Sequence, residues 1–317
     1  MTSTQTTTAG DAAAGRPVAD WGDAQVRLTP RVSVLVGPDN GRYPSGNSLL
    51  IDGAAETALI DPSVTLVQRG GAPLPVDAVI NSHGHEDHMA GNGFLAPARV
   101  HVHHDDLLAA RSLDGLMDVY GFSGELAESW GATVQEEFFY TGRPDAQGFA
   151  DGHVFDLGGG VTVEALHLPG HTRGHSGFVM DGVFFLSDID LTGFGPYYGD
   201  AWSDLEQFEA SIDRAREVDA RWYVTFHHRG IIDGRPAFLE HIDTFHAVID
   251  GRHQAMLEYL AEPRTVEEMA EHRFVYRSHV ELPYVGMAEA RTAHLHLQRM
   301  LARGEAREVE PGRYQRV

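Results

Sequence analysis

The chain has 317 residues, of which 42% are hydrophobic, and a formal charge of −22 from 46 acidic and 24 basic side chains. It has no cysteine and every basic residue is arginine, which excludes disulfides, thiolate metal sites, a cysteine nucleophile, a Schiff-base lysine and a Walker A lysine. The 19 histidines are therefore the first place to look for metal chemistry, and the length predicts one large domain with a small appendage.

In chain order, residues 1–20 are small and polar, lack the basic and apolar regions of a secretory signal, and read as a disordered lead. Residues 26–36 alternate apolar and polar side chains, which predicts one half-buried strand ending at Gly37-Pro38. Short apolar strands follow over 48–52, 57–61, 76–81 and 99–103, the last leading into a helix near 105–111. Residues 107–140 are rich in Leu, Met, Phe, Trp and Tyr without strand periodicity. They predict a helical lid over an apolar acyl pocket, a buried accessory helix, or a homodimer surface. Strands over 161–168 and 177–187 follow, the second folded at Asp181-Gly182. Ser203 with Glu206 predicts a capping box opening a helix to about residue 218. A strand at 222–226 and a long helix at 236–260 complete the body. Thr265 with Glu268 is a second capping box, and a helix over 286–303 precedes a small β-wing. The expected organisation is a lead at 1–20, a catalytic domain at 21–262 and a winged-helix-like C-terminal domain at 263–317. No apolar run approaches the roughly 20 residues that span a bilayer, so a cytoplasmic protein is expected.

The acidity is uneven. From Pro263 onward there are 9 arginines against 8 acids, so the whole excess of acid belongs to residues 1–262. A body this acidic repels a phosphate backbone, which argues for a small-molecule substrate and against nucleic acid as a partner.

The decisive stretch is Asn81-Ser82-His83-Gly84-His85-Glu86-Asp87-His88, just past an apolar strand. Four potential ligands lie within six residues, and imidazole with carboxylate suits zinc, iron or manganese. One tetrahedral ion does not easily take four ligands from so short a segment. Alternate ligands can serve two neighbouring ions instead, His83 and His85 facing one side while Asp87 and His88 turn toward a second position.

The string resembles the signature of the metallo-β-lactamase superfamily, and five further segments resemble its other motifs. These are Asn47-Ser-Leu-Leu-Ile, Asp61 at the end of the next strand, Leu168-Pro-Gly-His171-Thr-Arg-Gly-His175, Phe184-Phe-Leu-Ser-Asp188 and Phe226-His-His228-Arg-Gly. In the fourth, Ser187 stands where the family usually has glycine. The resemblance covers residues 25–235 and implies an α/β fold, a four-layer αββα sandwich, with a small, mostly helical C-terminal domain beyond it. It implies two divalent metal ions, zinc first, with iron or manganese as alternatives. His83, His85 and His171 would hold one ion, Asp87, His88 and His228 the other, and Asp188 would bridge. Asp190 competes with Asp188, which is preferred because it directly follows the apolar strand. His227 competes with His228, which is preferred because Arg-Gly follows it. His175 reads as a support for the site or a helix cap rather than a ligand.

The implied activity is that of a binuclear hydrolase using a metal-bridged hydroxide on a small carbonyl substrate: a thioester, lactone or ester. Asp87 would also orient the hydroxide or shuttle its proton. Tyr197 or Tyr198 would donate to an oxyanion, or simply wall the pocket. A phosphodiesterase or nuclease and an iron-dependent sulfur dioxygenase are the alternatives. Relatives that reduce oxygen at di-iron centres carry glutamate in place of the second histidine, so His85 argues for hydrolysis.

Overall fold

The computed structural model describes residues 16–317. The expected disordered lead lies outside the described residues as far as residue 15. Residues 16–20, expected to belong to it, are tied to the body instead: Ala19 N–H donates to Ala72 O at 2.9 Å, and Arg16 pairs with Asp77.

Two mixed sheets stack face to face. The first runs in spatial order β1 (Gln25–Arg27), β2 (Val32–Leu35), β3 (Ser48–Asp52), β4 (Thr57–Ile60), β5 (Ala78–Ile80), β6 (Arg99–His103) and β7 (Gln147–Phe149). Its pairings are antiparallel up to β4 and parallel from β4 to β7. The second contains β8 (Val154–Asp156), β9 (Thr162–His167), β10 (Ser176–Met180), β11 (Val183–Ser187), β12 (Trp222–Thr225) and β13 (Ile231–Asp233). There only β11 and β12 run parallel.

The period-2 pattern of each strand divides its apolar side chains between two cores. Val32, Val34, Leu49, Ile51, Ala58 and Ile60 meet Phe178, Met180, Val183, Phe185 and Val224 between the sheets. Leu35, Leu50, Leu59 and Val79 point the other way, into a core shared with the helices of the first layer. Phe184, Leu186 and Tyr223 do the same on the far side. Helix, sheet, sheet, helix is thus the layer order. After a single turn α1 (Pro38–Gly41), the first outer layer holds α2 (Val64–Arg69), α3 (Leu107–Arg111), α4 (Leu113–Tyr120) and α5 (Gly124–Glu136). The last layer holds α6 (Leu205–Arg216) and α7 (Arg235–Tyr259).

Two local expectations need correction. The single strand over 26–36 is a hairpin of β1 and β2. Pro30 has no N–H to continue a ladder, and Thr29 Oγ1 accepts from the N–H groups of Arg31 and Val32, each at 3.1 Å. The helix expected to be capped by Ser203 is capped by Asp204, which accepts from Gln207 N–H at 2.8 Å. The Ser203 hydroxyl donates instead to His171 O at 2.8 Å.

Beyond residue 262 the chain forms α8 (Val266–His272), α9 (Val285–Arg303) and an antiparallel hairpin of β14 (Ala306–Glu310) and β15 (Arg313–Arg316). Thr265 and Glu268 cap α8 reciprocally. Its core of Met269, Ala293, Leu297, Met300 and Ala306 is completed by Met256 and Leu260 from the end of α7, so one helix serves both units.

Candidate metal centre

The side chains of the candidate centre all sit on loops leaving the C-terminal ends of strands. His83 to His88 follow β5, His171 follows β9, Asp188 follows β11 and His227 follows β12. β5 belongs to one sheet and the other three to the second, so the site forms along the edge where the sheets meet.

The donors fall into two groups, one of His83, His85, His171 and Asp188, the other of Asp87, His88 and His227. In the first, His83 Nε2 and His171 Nε2 lie 2.9 and 3.1 Å from His85 Nδ1. In the second, His227 Nε2 is 2.9 Å from Asp87 Oδ2. Asp188 reaches both: Oδ1 is 3.1 Å from His88 Nε2 and Oδ2 is 3.3 Å from His171 Nε2.

Each imidazole has its remote nitrogen anchored, which fixes the tautomer and aims the other nitrogen inward. His171 Nδ1 is 2.9 Å from Tyr197 O, His227 Nδ1 2.8 Å from Gly41 O and His88 Nδ1 2.8 Å from Asp61 Oδ2. Ser82 Oγ, itself bonded to Asp61, lies 3.0 Å from His83 Nδ1. His85 is turned the other way, its Nε2 3.0 Å from Asp200 Oδ2. His175 donates from Nδ1 to Leu168 O and accepts at Nε2 from Asp188 N–H, so it holds Asp188 in place and does not itself belong to either group.

These residues fit divalent cations. His88 Nε2, Asp87 Oδ2 and Asp188 Oδ1 are buried and make no well-angled hydrogen bond among the described residues, although they converge. Orphaned buried donors and acceptors are costly unless something between them satisfies them. The charges agree. Burial alone would push His85 and His227 down, yet Asp200 beside the first and Asp188 and Asp87 beside the second carry each up to about 9. Burial and the neighbouring imidazoles hold His83 well below the usual range.

The expected ligand His228 is corrected to His227. The chain turns at His228, where φ is +58°, and Arg229 N–H closes back onto His227 O at 2.7 Å. His228 is left exposed at the cavity wall while His227 is buried. Asp190 does not compete with Asp188, because its Oδ1 accepts from the N–H and hydroxyl of Thr192. Tyr198 is corrected as well: it is buried, with its hydroxyl 2.9 Å from His296 Nε2, and it does not line the cavity. Tyr197 does line it, but its hydroxyl donates to Asp200 Oδ1 at 3.0 Å.

A family model for the metallo-beta-lactamase superfamily matches residues 41–228.

The chain belongs to the metallo-beta-lactamase superfamily.

It is 25% identical over 202 residues to an atrochrysone carboxyl ACP thioesterase of Claviceps purpurea (strain 20.1), covering 59% of this chain and 53% of that one. A thioesterase of the same description from Pseudocercospora fijiensis (strain CIRAD86) is 24% identical over 212 residues, covering 62% and 51%. The chain spans about half the length of these relatives. Among solved structures, a metallo-beta-lactamase family protein from Thermus thermophilus superposes with a TM-score of 0.68 at 24% identity, covering 92% of this chain and all of that one. A beta-lactamase domain protein from Burkholderia ambifaria gives 0.64 at 18%, covering 95% and 97%. Both likenesses are likenesses of fold.

Three supporting carboxylates escape the superfamily motifs. Asp106 is fully buried and clamps both ligand loops, accepting from Gly84 N–H (2.9 Å), Gly174 N–H (2.7 Å) and the Thr172 hydroxyl (2.6 Å). A Cβ at Gly174 would lie 2.7 Å from Asp106 Cγ, which is why glycine stands there. Asp200 backs His85, and Glu86 takes the hydroxyls of Tyr43 and Tyr120. Asp106 and Asp200 do not show in sequence spacing, because each meets its partners through the fold, whereas Glu86 lies inside the ligand string.

Proposed function

We propose that this protein is a binuclear metallohydrolase acting on a carbonyl substrate, with a thioester as the first candidate and a lactone or ester after it. The observation that carries the reading is the pair of converging donor groups joined by Asp188, opening onto a cavity of about 370 Å³. The thioesterase descriptions of the two curated relatives support thioester over the other acyl derivatives.

His83, His85, His171 and Asp188 would hold one cation, and Asp87, His88, His227 and Asp188 the other. When bound, two divalent cations supply Lewis-acid polarisation of the carbonyl and make water nucleophilic near neutral pH. Zinc suits this donor set best, with iron and manganese as alternatives. Asp87 is held ionised by His88 and His227 despite burial, so its carboxylate can accept a hydrogen bond from an attacking water and orient it. Burial and Asp200 keep the Tyr197 hydroxyl protonated; it steadies Asp200 while its carbonyl steadies His171. The excess of acid over residues 1–262 as a whole disfavours a polyanionic nucleic-acid substrate.

The test is hydrolysis of a thioester, lactone and phosphodiester panel by metal-loaded and exhaustively chelated protein, with elemental analysis alongside. Thioester turnover that chelation abolishes and zinc restores is the expected result. Full turnover after chelation would overturn the reading.

A further inference from the structure

Resting on the thioesterase reading, we infer that the acyl group of the substrate is an aryl, ring-bearing one, and that the C-terminal unit helps select it.

The cavity above the donor groups is walled by rings. Tyr43, Tyr120, Phe122, Trp130, Tyr276 and Tyr284 all line it. They form a continuous wall: Tyr120 and Phe122 have centroids 5.0 Å apart, Trp130 meets Tyr120 edge-on at 6.4 Å and Tyr284 at 5.6 Å, and Tyr276 meets Tyr284 at 6.5 Å. The wall starts at the reaction centre, since Tyr120 stacks on His85 with centroids 5.3 Å apart and planes 9° from parallel. A group bonded directly to the reacting carbonyl therefore meets aromatic faces and edges at once. Flat rings gain from offset and edge-to-face packing against such walls; a linear alkyl chain gains only area and loses rotamer freedom.

The walls are fixed rather than adaptable. Glu86, between ligands His85 and Asp87, accepts the Tyr43 hydroxyl on Oε1 at 3.1 Å and the Tyr120 hydroxyl on Oε2. The loop that carries the metal ligands thus also sets the angle of two wall rings. At the mouth, Tyr43, Phe194 and Leu282 are 41%, 42% and 44% exposed, an apolar entrance to an otherwise acidic body. Tyr276, Leu282 and Tyr284 come from the segment between α8 and α9, so the C-terminal unit supplies one side of the cavity.

The experiment measures kcat/KM of the metal-loaded full chain on N-acetylcysteamine thioesters of acetyl, octanoyl, benzoyl and 2-naphthoyl groups. The naphthoyl and benzoyl thioesters are expected to exceed acetyl and octanoyl by about tenfold or more, the scale of discrimination an apolar pocket supplies. Tyr284→Ala and Trp130→Ala are each expected to lower the naphthoyl-to-acetyl ratio about tenfold, and Trp130→Phe to lower it less. Metal content is measured in every variant. Octanoyl equal to or above naphthoyl, or variants that leave the ratio unchanged, would overturn the inference while the thioesterase reading stands. No turnover of any acyl thioester by protein with full metal content would overturn both. The wild-type panel decides between these outcomes even if a variant does not fold.

Discussion

Ser187 ends β11 at φ +53°, a left-handed conformation that costs a non-glycine residue on the order of 1 kcal/mol. Its hydroxyl donates to Ser82 Oγ at 2.7 Å, inside the network that orients His83 and His88. Ser187→Ala should lose that bond and keep the strain, while Ser187→Gly loses the bond and relieves it. Urea unfolding should therefore find the glycine variant more stable than the alanine one by about 1 kcal/mol, the reverse of the usual order inside a strand. At the end of β12, His227→Ala should empty the second donor group and His228→Ala should leave metal content unchanged; elemental analysis distinguishes them. The ligand string was legible in sequence because its members are adjacent. The choice of His227 was not, because it depends on which way a three-residue turn throws each side chain. The imidazoles also set a pH window. Without metal, His85 and His227 have folded values raised from 6.5 to about 9, so their contribution is full below 6.5 and lost as pH rises through 9. His175, pushed down to about 3 mainly by burial, contributes above 6.5 and loses that contribution as pH falls toward 3. The melting temperature of chelated protein should peak near pH 6.5, and loading with zinc at pH 7.5 should release protons, readable with an indicator dye.

Among elements, the apolar strands were the most legible part of the fold; the three-residue strands β7, β8 and β13 were not foreseen, and the supports of the site were the least legible. Alternation in β2, β3, β4 and β11 assigns each side chain to one of two cores, and the observed clusters follow it. The reciprocal Thr265–Glu268 cap also formed as its spacing demands. The similar Ser203–Glu206 pair did not, because the Ser203 hydroxyl is taken by the His171 carbonyl, a partner distant in sequence. Asp106 shows the same limit more strongly. It lies between β6 and α3, away from every motif, yet it joins the loop after β5 to the loop after β9. Asp106→Ala leaves three buried donors unpaired and should cost about 3 kcal/mol of stability, with weaker zinc binding in a competitive chelator titration. Asp106→Asn, which keeps acceptor capacity on one oxygen, should cost less.

At the scale of the molecule, the C-terminal unit reaches the loop behind the candidate metal centre through a chain of polar groups, half-buried at Glu305 and buried beyond it. Glu305 meets His253 at 2.9 Å, His253 meets His296 at 3.1 Å, and His296 meets the Tyr198 hydroxyl. Arg252, on α7, donates to the carbonyls of Phe194 and Pro196. These bonds pin the loop whose Tyr197 carbonyl and Asp200 carboxylate hold His171 and His85. Arg252→Ala should therefore cost about 2 kcal/mol and weaken metal affinity about tenfold although it touches no ligand. A stability loss without an affinity loss would limit Arg252 to packing. The split of the ligands between two sheets has a consequence for motion. Each donor group draws on the loop after β5 from one half and on His171, Asp188 or His227 from the other. A cation held there would work as a rivet through two plates: neither half offers a full shell alone, so the ion would leave fastest when the halves part. Metal release then becomes a clock for that parting. Its rate, followed with a chromogenic chelator at saturation, should match the rate at which the slowest amides of both sheets exchange together.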